Sequence, residues 1–401
     1  MDENFKPFKY RDADLVGITA MTASSSRAYE IATAYKNRGV PVIMGGIHAS
    51  ALPEEALAYV DSVVIGEAEG SWPGVVADFE AGRLQRKYES PLFDLRNAPS
   101  PRHDLFHPGY LFSSIQTSRG CPMDCDFCSV PWFNGNQYRL RETEVILEEI
   151  SRVRSPMLYF VDDNIIGYNA RAEEHAVALF EGIIRRKIKK EWFAQASINI
   201  GDKPELLRLA ARSGCRMLLL GIEAEIPEAL EFSNKRLNLK IGVSHYQATY
   251  KRLHRAGISV LGAFMFGMDT DSIRSIRDRI RYITSSSVDV VQASVMTPLP
   301  GTRLYQQMKS EGRLIPETFP GDWQHFHFTD VVFKPALMTP EELATEVSGV
   351  YQKLADSCYL RKRFLRTLWN TRNLRTAVWS WNSNLNYQSM VREREVAWHY
   401  E

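Results

Sequence analysis

The chain has 401 residues, of which 44% are apolar and 24% are charged, and its formal net charge is +1 at pH 7. These values are ordinary for a globular protein of two or three domains, and the small net charge argues against a polyanion-binding surface over the whole molecule. The sequence contains no run of about 18 apolar residues, so no membrane span is predicted. Five cysteines, three of them clustered, indicate a reducing cytoplasm rather than a disulfide framework.

Strands and helices alternate over residues 14–66, a pattern that predicts a parallel, doubly wound α/β sheet. Ligands of such sheets sit at the carboxyl ends of the strands. Glycines at those ends would let the backbone approach a bulky ligand closely, or would simply make tight turns. The candidate ligand contacts at the predicted strand ends are Thr22, Gly45, Gly46, Gly66 and Glu67.

A segment rich in proline and charge is predicted to be a linker, and strand–helix alternation resumes after it on a larger scale. Six predicted strands with helices between them follow, and the last part of the chain reads as mainly helical. The sequence thus predicts an N-terminal sheet domain over residues 1–84 and a linker over residues 85–104. A core over residues 105–310 and a C-terminal helical domain over residues 311–401 follow.

Cys121, Cys125 and Cys128 form a C-x3-C-x2-C motif with Phe127 before the last cysteine. A cubane iron–sulfur cluster is normally held by four thiolates, so a loop with three leaves one iron open to a small chelating molecule. Zinc is the alternative, with His103 and His107 close upstream. The cluster is favoured because the cysteines follow a predicted strand, at the end where a barrel places its chemistry.

The motif and its setting resemble the radical S-adenosylmethionine (SAM) superfamily. The resemblance implies a [4Fe-4S] cluster on the three cysteines, SAM on the open iron, cleavage of SAM to a 5′-deoxyadenosyl radical, and a six-stranded partial (β/α)6 TIM-like barrel. Residues 14–66 resemble the second half of a Rossmann-like cobalamin-binding domain. The strand–helix unit that often carries a D-x-H-x-x-G motif is expected to be missing, and His48 is not assigned as a cobalt ligand.

By the same resemblance, polar residues at the strand tips are expected to contact SAM. Asp162 or Asp163 would meet its amino group, and Glu223 its ribose or amino-acid end, because carboxylates accept charge-assisted hydrogen bonds. A helix cap is the alternative role for any of these residues. The other expected contacts are Phe127, Ser197, Asn199 and Gly267. Arg139 and Arg141 would neutralise the charge of the cluster or of a carboxylate, or form a solvated surface pair.

Segments 297–302, 311–313 and 338–340 resemble the subgroup of hopanoid methylases and the anaerobic magnesium-protoporphyrin ester cyclase. This implies cobalamin-dependent C-methylation of an unactivated carbon in a large apolar or polycyclic substrate. The alternatives are cobalamin-independent or oxidative-cyclase chemistry, and a non-catalytic binding module stabilised by zinc or a cluster. Expected partners are a lipid-like or other small substrate and a flavodoxin- or ferredoxin-type reductant, without nucleic acid. The basic stretch 361–375 is a solvated helix face or a peripheral membrane contact.

Overall fold

The computed structural model describes residue 3 and residues 5–393, the last three of these by their backbone alone. The predicted fold class is confirmed: an N-terminal parallel sheet is followed by a six-stranded partial barrel and by C-terminal helices. The final residues of the predicted C-terminal domain, 394–401, lie outside the described part.

The N-terminal sheet has four parallel strands in the order β1-β2-β3-β4. Side chains of β2 alternate between two cores, as the two-residue period of a strand requires: Val42 and Met44 pack with the first helix, and Ile43 packs with the fourth. Helices therefore cover both faces. The strands are β1 Val16–Thr19, β2 Val42–Gly45, β3 Ser62–Ile65 and β4 Lys87–Glu89, and the helices are α1 Ser25–Lys36, α2 Gly46–Ala51, α3 Pro53–Ala56 and α4 Ala68–Glu80.

Part of the segment expected to be a linker, residues 85–104, is folded into this sheet. Its strand β4 pairs with β3 in parallel, Val64 lying opposite Tyr88. The prediction missed this strand because three residues with two exposed charged side chains show no apolar run. Tyr88 is buried beside Val75 of α4, so the segment completes the second core of the sheet.

The barrel sheet contains six parallel strands in the order β12-β11-β10-β9-β8-β5, which is their chain order reversed. A short antiparallel ribbon of β6 and β7 brackets the cysteine loop. The strands are β5 Phe112–Ile115, β6 Ser118–Arg119, β7 Arg139–Leu140, β8 Met157–Phe160, β9 Glu191–Ala196, β10 Cys215–Glu223, β11 Ser259–Phe266 and β12 Val290–Val295.

Helices surround the barrel and close it. Those of the barrel are α5 Val130–Asn134, α6 Thr143–Arg152, α7 Ala170–Arg185, α8 Pro204–Ser213, α9 Pro227–Phe232, α10 Arg236–Ile241, α11 Tyr246–Arg255, α12 Ile273–Ser285 and α13 Arg303–Ser310, and the C-terminal helices are α14 Pro340–Ala355, α15 Ser357–Thr371 and α16 Leu374–Glu393. Trp379 of α16 packs against Met217 and Leu261 on the inner face of the barrel. In the part of the chain that the structure describes, no helix is long and apolar enough to cross a bilayer.

The N-terminal sheet is joined to the rest of the molecule by the segment before α14. The Ser26 hydroxyl donates to the Pro320 carbonyl at 2.6 Å, and the indole N–H of Trp323 donates to both carboxylate oxygens of Glu55 at 3.0 Å. Glu55 also contacts His48, which is fully buried. Buried polar groups that are this well paired hold two surfaces in one arrangement.

Candidate active site

The three motif cysteines lie together in the loop between β6 and α5. Cys121, Cys125 and Cys128 all line one cavity of about 480 Å³ at the carboxyl ends of the barrel strands. Backbone hydrogen bonds fix the loop: the Cys128 N–H donates to the Cys125 carbonyl and the Cys121 N–H to the Gly135 carbonyl, each at 3.1 Å. Three sulfur atoms are thus presented to a single space.

The loop begins at a position that only glycine fits. Gly120 has a φ of +90°, and a Cβ there would lie 2.3 Å from the Gln137 carbonyl oxygen and 2.9 Å from that of Asn134. Both obstacles are backbone atoms of the returning chain, so they cannot turn aside as a side chain would. The glycine of the Arg119–Cys121 run is therefore required by the closeness of the two loop strands.

The electrostatics of the three thiols suit metal ligation. Burial raises the pKa of Cys121 to about 11 and that of Cys128 to about 12, and it also raises the pKa of Cys125. Without a metal the thiols are therefore neutral at pH 7. Iron is ligated by thiolates, and a bound metal is itself the positive charge that stabilises them. The donor set fits an iron–sulfur cluster in this respect.

The two histidines that would complete a zinc site are engaged elsewhere. His103 Nε2 lies 2.9 Å from Glu149 Oε1, and the His107 ring stacks on Phe5 with the ring centroids 3.9 Å apart. Among the residues that the structure describes, no three His, Cys, Asp or Glu side chains are grouped closely enough to hold a single metal ion. His103 and His107 are thus held by other partners than the three cysteines.

The structure separates the two aspartates that follow β8. Asp163 lines the cavity, where burial and the adjacent carboxylate raise its pKa to about 6. Asp162 is fully buried and accepts hydrogen bonds from the Thr117 N–H, the Thr117 hydroxyl and the Ser118 hydroxyl at 3.0, 2.8 and 2.6 Å. Asp162 is thus wrong as a cofactor contact, because it holds the strand end before the cysteine loop instead.

Glu223 lines the cavity beside a lysine that sequence reasoning did not single out. Lys235 Nζ lies 2.7 Å from Glu223 Oε1 and 5.8 Å from the centre of the Phe127 ring. Glu223 has a φ of +62° and follows an irregularity in the pairing of β10 with β11. A non-glycine residue in this region costs about 1–3 kcal/mol and is frequent at functional sites.

Lys235 is the strongest positive charge facing the thiols. Burial alone would lower its pKa, but Glu223 and the Cys125 sulfur outweigh burial and raise it, so the ammonium group stays charged. It lies between α9 and α10, where no motif, capping box or strand end marks it. Only the return of the chain over the barrel mouth brings it to the cysteines.

The remaining expected SAM contacts divide between the cavity and the surrounding core. Phe127 and Ser197 line the cavity, and Ser197 is bonded to Asn164 at 2.9 Å and to the Tyr168 hydroxyl. Asn199 lies in a short 3-10 helix, Ile198–Asp202, and is not among the lining residues. The structure thus brings Ser197, and not Asn199, to the cavity, and a SAM contact from Asn199 stays a prediction.

Gly267 has a packing function instead of the expected ligand contact. Its φ is +93°, and a Cβ there would lie 2.7 Å from Leu343 and 3.0 Å from Phe333. The residues of β11 that line the cavity come earlier: Ala263, Phe264 and Met265. The segment 262–267, which by resemblance packs beside adenine, thus reaches the cavity through its middle residues and not through Gly267.

The glycines of the N-terminal sheet lie at its carboxyl edge, as predicted, and Ser50 of α2 links two of them. The Ser50 hydroxyl donates to the Gly46 carbonyl at 2.8 Å and accepts from the Gly66 N–H at 2.9 Å. Gly46 has a φ of +89°, and a Cβ there would meet Thr19 Oγ1 at 2.5 Å, so the tight turn itself requires this glycine. Gly45, which ends β2, would place a Cβ in ordinary contact with Val64.

Open space remains beside Gly66. Its φ is +77°, and a Cβ there would meet no atom within 4 Å. Thr22 is buried under the sheet edge, with the exposed Met21 before it. Of the N-terminal candidates, Gly66 is therefore the one that leaves room for a ligand.

Glu67 links the N-terminal sheet to the cysteine loop and is wrong as a ligand contact. It is buried, and its carboxylate lies 2.6 Å from Arg139 Nη2 and 3.3 Å from Arg119 Nη1. It also accepts the Phe93 N–H at 2.8 Å. Arg139 thus neutralises a carboxylate rather than a cluster, and it does so across two domains.

Arg141 is likewise neither a cluster contact nor a surface residue. It is buried, and its Nη2 lies 2.6 Å from Glu149 Oε2. Its Nη1 donates to the Gln116 carbonyl at 2.7 Å. Glu149, which also contacts His103, therefore ties the strand β7 and the segment before β5 to helix α6.

Comparison with known proteins gives two family matches. Residues 115–283 match the radical SAM superfamily, and residues 7–76 match the B12 binding domain. The first match spans the cysteine loop and the strands β8 to β11. The second spans the first three of the four strands of the N-terminal sheet and the glycines at their ends.

Individual relatives are similar over most of the chain. The bacteriochlorophyllide d C-12(1)-methyltransferase of Chlorobaculum tepidum is 28% identical over 89% of this chain and 78% of the relative. The hopanoid C-2 methylase of Rhodopseudomonas palustris is 27% identical over 79% of this chain and 62% of the relative. The structure of the radical SAM methyltransferase TsrM from Kitasatospora setae has the same fold, with a TM-score of 0.69 at 18% identity over 96% of this chain and 88% of TsrM.

Proposed function

Because the chain belongs to the radical SAM superfamily and carries a B12 binding domain, we propose that this radical SAM enzyme is a cobalamin-dependent methyltransferase acting on an unactivated carbon of a large apolar or polycyclic substrate. The observation that carries the proposal is the convergence of three thiols and the Glu223–Lys235 pair on one cavity. Cluster ligands and polar groups for a zwitterionic nucleotide are thereby available within one space.

Cys121, Cys125 and Cys128 are the proposed ligands of a [4Fe-4S] cluster, which supplies the electron that cleaves SAM into methionine and a 5′-deoxyadenosyl radical. Lys235 is proposed to attract the carboxylate of SAM. Glu223 and Asp163 are proposed to accept hydrogen bonds from its amino and hydroxyl groups, because ionised acceptors form the stronger hydrogen bonds. Phe127 and Phe264 offer apolar surface for the adenine ring.

The N-terminal sheet is the proposed site of cobalamin, which supplies the methyl group when bound. The room beside Gly66 is the structural observation that fits a bulky ligand at this edge. The ion pair of Glu67 with Arg139 and Arg119 is proposed to keep the edge in a fixed position relative to the cysteine loop. Correct placement of two reacting partners is the main contribution that a protein makes to cofactor chemistry.

The substrate class rests on two observations. The named relatives methylate a bacteriochlorophyllide and a hopanoid, both large polycyclic molecules. The cavity lining also contains apolar side chains that a polar substrate would not need: Leu219, Phe264, Met265, Leu299 and Phe328. An apolar wall of this kind excludes water from a reactive radical.

Anaerobic reconstitution with iron and sulfide tests the proposal. We expect about four iron atoms per chain and formation of 5′-deoxyadenosine on addition of SAM and reduced flavodoxin. In Cys125→Ala we expect neither bound iron nor 5′-deoxyadenosine. With SAM labelled in its methyl group, transfer of label to a polycyclic acceptor identifies methylation. Product formation without label would instead identify oxidation or ring closure. One zinc ion per chain without SAM cleavage would contradict the whole proposal.

A further inference from the structure

A second, larger cavity opens at the other end of the barrel, where the strands begin. It has a volume of about 1150 Å³ and is lined mainly by apolar side chains of the strands and of α16. Tyr159, Leu219 and Gln292 line both this cavity and the one that contains the cysteines. The two spaces are therefore separated by a single layer of side chains inside the barrel.

The second cavity is here called the chamber, and the end of the barrel at which it opens is called the floor. The floor is built from the loops that lead into the strands and from the α15–α16 turn. The Lys190 ammonium donates to the Val153 carbonyl at 2.6 Å, and the Ser155 hydroxyl donates to the Leu111 carbonyl at 2.6 Å. The Thr376 hydroxyl donates to the Gly257 carbonyl at 2.7 Å, which attaches the turn to the same surface. The floor is thus a continuous face.

Lysine and arginine supply nearly all of the charge on the floor. Glu191 is the one acidic residue in stretches 153–156, 186–191, 212–216, 255–258 and 372–375, and it is paired with Arg216 and Arg375. The exposed cations of these stretches are Arg154, Arg186, Lys187, Lys189, Arg212, Arg255, Arg372 and Arg375. The net charge of +1 for the whole chain therefore hides a strongly basic face.

Large apolar side chains are exposed on the same face and at the mouth of the chamber. Leu111 is 72% exposed, Leu374 61% and Val378 43%, and all three line the chamber. On α15, Leu365 and Trp369 are 63% and 82% exposed, and they share one side of the helix with Arg361 and Arg372 at the spacing of successive turns. Exposed apolar groups of this number require a partner.

We propose that the floor docks onto an anionic phospholipid bilayer and that the chamber takes the apolar part of a lipid from it. Basic residues interleaved with exposed tryptophan and leucine are the composition of helices that lie in a membrane interface. A nucleic acid would account for the cations but would leave the leucines and the apolar chamber unexplained. The proposal goes beyond the methyltransferase reaction and does not depend on it.

Sedimentation of the purified full chain with vesicles tests the docking surface. We expect binding to vesicles of phosphatidylcholine and phosphatidylglycerol, weak binding to phosphatidylcholine alone, and release by salt. Each cation near an anionic membrane strengthens binding roughly five-fold, so Lys187→Glu/Lys189→Glu is expected to weaken it at least about ten-fold. Lys309→Glu/Lys334→Glu makes the same charge change on the side of the barrel that carries the cysteines and is the matched control.

The exposed leucines of the floor are tested with one variant on the floor and one control variant outside it. Leu374→Ser is expected to weaken vesicle binding, whereas Leu337→Ser, at a leucine that is 59% exposed outside the floor, is expected to leave it unchanged. Equal binding to neutral and anionic vesicles, or equal losses in the floor and control variants, would overturn the proposal. Capture of duplex DNA through Lys187 and Lys189 without vesicle binding would also overturn it.

The chamber is tested with cis-parinaric acid, a lipid whose fluorescence rises in an apolar site. We expect uptake by the native chain, loss of uptake in Val378→Trp, because the indole would fill the mouth, and unchanged uptake in Leu337→Trp. Uptake that persists in Val378→Trp would contradict a lipid site in this chamber, whatever the outcome of the methyl-transfer assay.

Discussion

At the scale of single residues, Lys235 illustrates how a site is completed by a side chain that no motif contains. Its ammonium group contacts the Glu223 carboxylate at 2.7 Å and faces the sulfur of Cys125, which would carry a negative charge as a metal ligand. Removing one partner of a buried ion pair destabilises a protein strongly, because the other charge is left buried without a counter-charge. Lys235 is therefore the residue through which SAM binding can be changed without altering the cluster ligands.

Lys235→Met is expected to weaken SAM binding by about 10- to 100-fold, the effect of losing one hydrogen bond to a charged group. Iron content should be unchanged, since the three thiols remain. Calorimetric titration of the reconstituted protein with SAM measures the affinity. Lys240→Met, at an exposed lysine in the helix α10 that follows Lys235, is the control. Equal affinities in the two variants would exclude Lys235 from the SAM site.

At the scale of elements, the linkage between the N-terminal sheet and the cysteine loop rests on Glu67. Burial raises the pKa of this carboxyl, but Arg139, the Phe93 N–H and Arg119 outweigh burial and hold the pKa below its ordinary value. A group with a lowered folded-state pKa stabilises the protein above its unfolded-state pKa and loses this contribution as the pH falls through the folded-state value. The contribution of Glu67 is therefore complete at neutral pH.

Glu67→Gln is expected to lower the melting temperature at pH 7 by roughly 5 °C, because it leaves the partly buried guanidinium group of Arg139 short of a counter-charge. The difference from the native chain should shrink in acid, as the pH falls from the ordinary glutamic acid pKa of about 4.3 through the lowered pKa of Glu67. Scanning calorimetry at pH 7 and across this acid range measures it. Asp94→Gln, at an exposed carboxylate bonded to Arg96, should cost little. A difference in melting temperature between Glu67→Gln and the native chain that stays constant with pH would contradict the assigned electrostatic role.

Helix α15 is fixed to the barrel by a buried acid. Asp289 lies 2.7 Å from His254 Nε2 and accepts the Thr367 hydroxyl at 2.6 Å. Burial raises its pKa, but His254 and these hydrogen bonds lower it overall. The carboxylate thus connects α11, the start of β12 and α15.

Asp289→Asn is expected to destabilise the protein by about 3 kcal/mol, because it removes the buried carboxylate that contacts His254 and accepts from the Thr367 hydroxyl and the Val260 N–H. Faster amide exchange should appear in α15 before the rest of the barrel, because the helix loses its buried attachment. Hydrogen-exchange mass spectrometry resolves this. Asp278→Asn, at an exposed acid paired with Arg281 on α12, should exchange as the native chain does. Unchanged exchange in α15 of Asp289→Asn would refute the attachment.

At the scale of the whole molecule, the N-terminal sheet and the barrel present their strand ends as two separate surfaces. The residues described as lining the cysteine cavity all come from the barrel and from the segment that follows it. The N-terminal edge contributes through Glu67 and through the room beside Gly66. The space for a ligand at Gly66 is thus formed by the N-terminal sheet alone. The position of that ligand relative to the cysteine cavity would depend on how the sheet is attached to the barrel.

Gly66→Trp is expected to abolish retention of hydroxocobalamin, because the indole would fill the space that the glycine leaves open. Gly39→Trp is the matched control: Gly39 also has a positive φ, +75°, and also has no atom within 4 Å of a Cβ, but it lies before β2 at the opposite edge of the sheet. Backbone strain is therefore similar in the two variants. Visible spectra after gel filtration measure retention. Equal retention would place cobalamin elsewhere.

Local features of the sequence were sufficient to predict the architecture and to place the three candidate cluster ligands in one loop. Apolar runs predicted all six barrel strands to within two residues at each end, because buried strands in a parallel sheet are continuously apolar. The cysteine spacing placed three thiols in one loop, since neighbours in a short loop cannot lie far apart. The short polar strand β4 gave no such signal and was missed.

Tertiary structure alone decided which strand-end residues face the cavity. Asp162 and Asp163 are adjacent in sequence, yet one is saturated with hydrogen bonds under β6 and the other faces the thiols, because successive side chains point in opposite directions. Lys235 and Glu67 meet partners far along the chain, and the basic floor collects charges from separate loops. A sequence specifies local geometry and burial period, but contacts between distant segments depend on how the packed elements are oriented.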